Sequence, residues 1–184
     1  KMMRLHGMSK DAWKRHLPEN VSEKSKFQHY DVSELGLKYN MIDINASIGI
    51  EQLKKIEKNW KIRKKFYNLY ISELKNLPLL FQNSNPYPSK HAHHLFTIIL
   101  DKKKTKKKRD QLINYLKKNK IVVGINYRCV TDMSYYRKTL KWNDKTCKIA
   151  KKVGDNILSL PLHAPMTKSD IRYITKKIRR FFEN

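Results

Sequence analysis

The chain of 184 residues is 40% hydrophobic and 10% aromatic, which excludes a disordered protein and allows a buried core. Its two cysteines, Cys129 and Cys147, are too few for a disulfide framework or a cysteine-built zinc site, and they fit a reducing, cytoplasmic setting. No apolar run approaches the roughly 20 residues that a membrane-spanning helix needs.

The basic residues far outnumber the acidic ones. The chain has 41 Lys and Arg against 16 Asp and Glu, a net charge of +25. Such a charge suits a nucleic-acid or anionic-membrane partner. However, Lys, Asn and Ile are abundant together, as in proteins from AT-rich genomes, and Lys rather than the phosphate-recognising Arg predominates. Compositional drift is therefore the favoured explanation.

The first 80 residues change character near Asp43. Residues 1–35 lack periodicity and are predicted to be loops with short structured pieces. From Asp43, which can cap a helix, small and apolar residues recur at steps of three and four as far as Leu74, and Pro78 ends the pattern. One helix of about 32 residues would be near 50 Å long at about 1.5 Å per residue, so we expect it to connect two bodies.

Strands and helices alternate after Pro88. The pattern predicts strands at 94–100, 121–126 and 157–160, and helices at 110–119, at 144–155 and after the capping pattern Thr167-Lys168-Ser169-Asp170. This order predicts an α+β domain with a small sheet covered by helices on one face.

Two polar clusters invite functional interpretations. In a strand, His91 and His93 would share one face with His94 opposite, and no carboxylate or cysteine nearby completes a metal site, so packing is the favoured role. The run Lys102–Arg109, KKKTKKKR, can grip phosphates, but a solvated turn between a strand and a helix needs no partner.

Several blocks, in order along the chain, resemble the DegT/StrS family of pyridoxal-phosphate sugar aminotransferases. The blocks are Arg4-Leu5-His6-Gly7, Asp11-Ala12-Trp13-Lys14-Arg15, residues 36–46 (GLKYNMIDINA), His94-Leu95-Phe96, residues 124–128 (GINYR), Tyr135-Tyr136 and residues 158–162 (LSLPL) followed by Thr167. The resemblance covers essentially the whole chain and is closest to the branch that aminates a 4-keto group on a nucleotide-linked sugar.

The resemblance implies the C-terminal half of an aspartate-aminotransferase-type fold. Residues 1–42 would be the tail of the large cofactor domain, 43–80 the long interdomain helix and 81–184 the small C-terminal domain. Homodimer partners would meet at this helix, where the small residues Ala46, Ser47 and Gly49 permit a close approach. None of the lysines lies in a motif that matches the lysine that bonds covalently to the cofactor, and the chain starts with lysine rather than methionine, so we expect a fragment that is inactive alone.

The resemblance also implies site residues. Lys38 and Asn40 would contact the phosphate of pyridoxal 5'-phosphate in the partner subunit. Asn126, Tyr127, Arg128 and His163 would form one wall of the sugar pocket. Many members have Asn-Tyr-Arg where this chain has Lys38-Tyr39-Asn40, and many have His where it has Asn126 and Thr131.

The implied reaction moves an amino group, usually from glutamate, to a nucleotide-linked keto-sugar, with no specific nucleic acid or membrane as partner. Two alternatives remain open: a nucleic-acid-binding module that uses the basic run, and a non-catalytic remnant.

Overall fold

A computed structural model describes residues 2–8, 31–82, 89–143 and 145–183. The chain forms two compact units, residues 1–54 and 55–184. The block at residues 11–15 that contributes to the family resemblance lies outside the described residues.

The first unit is fastened where the start of the chain meets the segment before the first helix. The Leu37 N–H donates a hydrogen bond to the Met3 carbonyl at 2.8 Å. A Cβ on Gly7 would lie 1.7 Å from the Glu34 carbonyl oxygen, and a Cβ on Gly36 would lie 2.1 Å from the Gly7 nitrogen. Gly7 also has a φ of +73°. Only glycine can occupy these two positions without moving the backbone.

The single helix predicted from Asp43 is instead two helices, α1 (Asp43–Leu53) and α2 (Ile56–Leu74). The two residues between the helices, Lys54 and Lys55, keep right-handed dihedral angles, with φ −99° and ψ −8° at Lys55. Helix α1 buries none of its side chains, so packing does not support a longer continuous helix there. The prediction that Asp43 caps the helix was also wrong. The cap position is Ile42, whose side chain accepts no hydrogen bond.

The second unit contains a three-stranded antiparallel sheet in the order β1 (Leu79–Phe81), β2 (Phe96–Leu100) and β3 (Ile157–Leu160). Strand β1 was not predicted. The strand predicted at 121–126 is reduced to one bridge, in which Gly124 and Ser159 exchange backbone hydrogen bonds of 3.0 and 2.8 Å. The pairing is this short because Lys120 has a φ of +60° and the Ile121 N–H donates to the Leu116 carbonyl of the preceding helix, which turns the start of the predicted strand away from the sheet.

One face of the central strand β2 is buried more deeply than the other. Phe96, Ile98 and Leu100 of β2 are almost fully buried, whereas Thr97 and Ile99 on the opposite face are only half-buried. The remaining helices are α3 (Arg109–Lys118), α4 (Ser134–Thr139), α5 (Lys148–Asn156) and α6 (Lys168–Glu183). Buried residues of α2, α3 and α6 share one hydrophobic core with the sheet. The predicted α+β class is confirmed.

The last helix begins as its sequence predicts. The Asp170 N–H donates to Thr167 Oγ1 at 3.2 Å, and the Thr167 N–H donates to Asp170 Oδ2 at 2.8 Å, so the two residues cap the helix reciprocally. Further along α6, Arg179 bonds the carbonyl and the carboxylate of Glu73 at the end of α2.

Candidate functional site

Lys38 and Asn40 lie just before α1 in the first unit. The Lys38 backbone is paired with Leu5, and its side chain extends into solvent. Asn40 is half-buried, and its Oδ1 atom is buried with no hydrogen-bond donor among the described residues. A buried amide oxygen without a donor is unfavourable, so this atom can accept a hydrogen bond from a further partner.

These two residues fit the phosphate of the expected cofactor. Lys38 offers a full positive charge, and the Nδ2 group of Asn40 would donate to a phosphate oxygen, whereas its Oδ1 atom needs a different, donating partner. The first N–H groups of α1 also lack partners within the helix and carry the positive end of its dipole. Asp43 in the first turn offsets part of that positive field, so Lys38 is the main source of attraction for an anion.

Asn126, Tyr127 and Arg128 follow the Gly124 bridge in one extended segment of the second unit. Tyr127 and Arg128 are exposed, and Asn126 is half-buried with its amide oxygen near Gly124. The backbone of this segment rests against α5: a Cβ on Gly154 would lie 2.7 Å from the Cys129 nitrogen and 3.3 Å from the Tyr127 carbonyl oxygen. Gly154 therefore sets how closely the segment approaches the helix.

Arg128 lines an open cavity of about 570 Å³ with a network of charged groups. Asp132 pairs with Arg137 and with Lys151, each at 3.1 Å, and Lys151 also bonds Asp155. Although its partial burial opposes the shift, the Lys151 and Arg137 hydrogen bonds and charges lower the pKa of Asp132. In the described part of the chain no carboxylate pairs with Arg128, which leaves its guanidinium available for an anion.

His163 lies elsewhere, in the turn before α6. It is exposed, and its carbonyl accepts a hydrogen bond from the Met166 N–H. Among the described residues no hydrogen bond or ring contact joins His163 to Asn126, Tyr127 or Arg128. The structure thus brings three of the four expected sugar-pocket residues together and places the fourth in a separate turn.

The histidine cluster is not arranged as a strand would arrange it. His91 and His93 precede β2, and His93 has a φ of +46°, so the alternation expected of a strand does not hold there. Their Nδ1 atoms lie 3.1 Å apart. Among the described residues no group of three or more His, Cys, Asp or Glu side chains could hold a metal ion.

The basic run is folded partly back onto the protein. Lys102 Nζ donates to the Lys107 carbonyl at 2.8 Å, and Lys107 bonds the Phe181 carbonyl. Arg109 donates to the Gly154 carbonyl at 2.7 Å. Within the described residues no helix is long and apolar enough to cross a membrane.

Gly154, Asp132 and Lys151 were not predicted as site residues. A glycine inside a helical pattern is a signal that another chain segment packs closely, and Gly154 carries that signal. Asp132 and Lys151 have no such signal, because two charged residues far apart in sequence do not reveal that they pair.

Comparison with known proteins identifies the family of this chain. Residues 1–179 match the model of the DegT/DnrJ/EryC1/StrS aminotransferase family. The Methanocaldococcus jannaschii protein MJ1066 is 34% identical over 180 residues, which cover 98% of this chain and 45% of that protein. The spore coat polysaccharide biosynthesis protein SpsC of Bacillus subtilis is 28% identical over 97% of this chain and 45% of its own length. The chain thus spans a little under half the length of these relatives.

Solved structures share the fold. Spr1654 from Streptococcus pneumoniae, in its PMP form, superposes with a TM-score of 0.81 at 23% identity and covers 99% of this chain and 43% of its own. Helicobacter pylori PseC, an aminotransferase involved in the biosynthesis of pseudoaminic acid, gives a TM-score of 0.77 at 22% identity, with 99% and 44% covered. Since the family match extends over almost all of the sequence, the chain belongs to the DegT/DnrJ/EryC1/StrS aminotransferase family.

Proposed function

We propose that this chain forms the C-terminal portion of an enzyme that transfers an amino group, from a donor such as glutamate, to C4 of a nucleotide-linked keto-sugar. The observation that carries the proposal is the family match over residues 1–179. Such a reaction suits polysaccharide biosynthesis, and we place it in the cytoplasm. The two free cysteines fit that compartment.

The cofactor is pyridoxal 5'-phosphate, as family membership and the PLP and PMP forms of Spr1654 indicate. When bound, it accepts the amino group of the donor and delivers it to the keto carbon. Lys38 and Asn40 would hold its phosphate in the partner subunit. The exposed ammonium of Lys38 would supply charge, and the Nδ2 group of Asn40 would donate a hydrogen bond.

The segment 126–128 binds the sugar nucleotide. Tyr127 is exposed and offers a ring and a hydroxyl, while Arg128 offers a guanidinium fork that suits a diphosphate. Gly154 and the Asp132–Lys151 pair fix the backbone of this segment, so the two side chains are oriented before the substrate arrives. His163 would contribute from its own turn.

The dimer forms through α1. This helix exposes large apolar side chains, including Ile44, Ile48 and Ile50, each more than half accessible. Single exposed apolar residues are common, but a helix that buries none of its own residues and shows several on its surface is typical of an interface. Gly49 has open space around its Cα, which leaves room for a second backbone.

An assay of amino transfer tests the proposal, performed on a complete enzyme that contains this chain and is as long as its relatives. With pyridoxal phosphate, glutamate and a nucleotide-linked 4-keto-sugar, we expect an amino sugar and 2-oxoglutarate, both detected by mass spectrometry. Turnover of keto acids without turnover of any keto-sugar would refute the sugar assignment. The 184-residue chain alone should give no turnover, and borohydride should not trap the cofactor on one defined lysine.

The nucleic-acid alternative gains no support from the basic run. Lys102, Lys107 and Arg109 all donate hydrogen bonds to backbone carbonyls of the protein. A surface that exists to bind a phosphate backbone would keep such groups available for phosphates.

A further inference from the structure

A second cavity, of about 530 Å³, lies beside α2 and is lined by Trp60, Lys64, Ser89, Lys90, His91 and His93. Its volume is within the range of sites for small organic ligands. All of its residues belong to the second unit, and none of them belongs to the segment 126–128.

The walls of this cavity are held rigidly. Trp60 Nε1 donates to the His91 carbonyl at 2.7 Å, and Arg63 Nε donates to the His93 carbonyl at 3.1 Å. His93 is almost completely buried, and Tyr67 packs edge-on against its ring at 4.8 Å. The segment that carries the two histidines is therefore fixed to α2 on both sides, and its side chains are preorganised.

The hydrogen bonds define which histidine nitrogens can donate. The His93 N–H donates to His91 Nδ1 at 3.0 Å, so that nitrogen carries no proton. The proton of neutral His91 is therefore on Nε2, and the 3.1 Å contact between the rings requires His93 Nδ1 to be the donor. Nε2 of the exposed His91 ring remains as an N–H donor with no partner among the described residues.

Positive charge is in excess around the cavity. The Lys64 and Lys90 ammonium groups lie 5.0 and 4.4 Å from the centroid of the Trp60 ring. Glu57 bonds Lys90 at 2.7 and 2.9 Å, but no carboxylate pairs with Lys64 in the part of the chain that the structure describes. Arg63 adds a further charge next to His93.

We propose that this cavity binds a small phosphate monoester. Ammonium groups and an imidazole N–H are donors that phosphate oxygens accept, and Trp60 supplies an apolar wall for the sugar or base attached to the phosphate. The inference does not rest on the aminotransferase proposal, because no cavity residue has a role in that reaction.

Calorimetric titration of the 184-residue chain tests the proposal, with inorganic phosphate, ribose 5-phosphate and uridine 5'-monophosphate as probes at constant ionic strength. We expect both esters to bind more tightly than inorganic phosphate and to shift the NMR signal of the Trp60 indole N–H. Equal affinity for all three probes would overturn the assignment to an ester, and an unmoved Trp60 signal would overturn the location.

Charge variants make the location specific. Lys64→Ala should weaken ester binding about tenfold or more, as expected for loss of a charged contact. Glu57→Gln should strengthen ester binding, because it removes the Glu57 carboxylate that competes with the ester for Lys90. The matched controls Lys104→Ala and Glu183→Gln change the net charge equally at exposed positions far along the sequence. If each control alters affinity as much as its counterpart, binding is due to overall charge and the proposal is wrong.

Discussion

Replacement of Gly154 by alanine tests how α5 positions the segment that carries Asn126, Tyr127 and Arg128. The new methyl group would lie 2.7 Å from the Cys129 nitrogen and 3.4 Å from the Arg128 carbonyl carbon, and both are backbone atoms. Because backbone cannot rotate away as a side chain can, the segment or the helix must move. We expect the segment to shift by several tenths of an ångström.

Two opposing effects determine the change in stability. Alanine in a helix is more favourable than glycine by about 1 kcal/mol. Overpacking a close contact costs about 1–3 kcal/mol. The net expectation for Gly154→Ala is a loss of up to about 2 kcal/mol. Gly49→Ala in the monomeric 184-residue chain is the matched control, because nothing lies within 4 Å of the added Cβ when no partner subunit is bound, and only the favourable effect of about 1 kcal/mol applies there.

Native-state hydrogen exchange measures both changes locally, in each helix separately. Amides of α5 and of residues 127–131 should exchange faster in Gly154→Ala, whereas amides of α1 should exchange more slowly in Gly49→Ala. If Gly154→Ala instead slows exchange in α5 and leaves the amide of Cys129 unchanged, the close contact does not exist and Gly154 has no role in positioning the segment.

Other changes have equally definite expectations. In the full-length enzyme Lys38→Ala should weaken cofactor affinity about ten- to hundredfold, and the same affinity in Lys38→Ala and Lys104→Ala would place the phosphate contact elsewhere. The backbone and hydroxyl hydrogen bonds of Thr167 hold the pKa of Asp170 below its ordinary value of 3.8, so this stabilisation of α6 is complete above pH 3.8 and is lost as the pH falls through the lowered pKa. Asp170→Asn should therefore remove that part of the acid-unfolding curve followed by circular dichroism. Burial, then the neighbouring His91 and nearby cations, lower the pKa of His93 below 6.5. Its contribution to the free energy of unfolding is therefore present above pH 6.5 and is lost as the pH falls through the lowered pKa. Urea unfolding of His93→Gln should lose this pH dependence, and an unchanged pH profile would show that His93 titrates freely.

The elements that the sequence predicted correctly depend on local signals. Helix α3, strand β3 and the cap at Thr167 and Asp170 each follow from residues within a few positions of one another. Strand β1 was missed because three residues show no measurable periodicity. The break after Leu53 was missed because the periodicity continues through it, while the packing that would support one long helix is not found in α1.

The candidate site was less predictable than the fold. Periodicity and spacing did not single out Lys38, Asn40 or residues 126–128, which came only from the family resemblance. The network of Asp132 with Arg137 and Lys151 depends on the approach of α5 to a loop about 20 residues away, and a sequence pattern does not encode that approach. Only Gly154 carried a usable signal, namely a glycine within a helical stretch.

The contacts that join the two ends of the second unit affect how it can fold during synthesis. Arg179 binds Glu73 across 106 positions, and the Tyr70 hydroxyl donates to the Pro161 carbonyl across 91 positions. On the ribosome α2 emerges long before either partner, so its buried face has to remain exposed until residues beyond Arg179 have left the exit tunnel. We therefore expect this unit to complete its folding late, because contacts of high sequence separation slow folding. Premature termination near residue 160 would release α2 and the three strands without helix α6 to cover their apolar side chains, a product that favours aggregation.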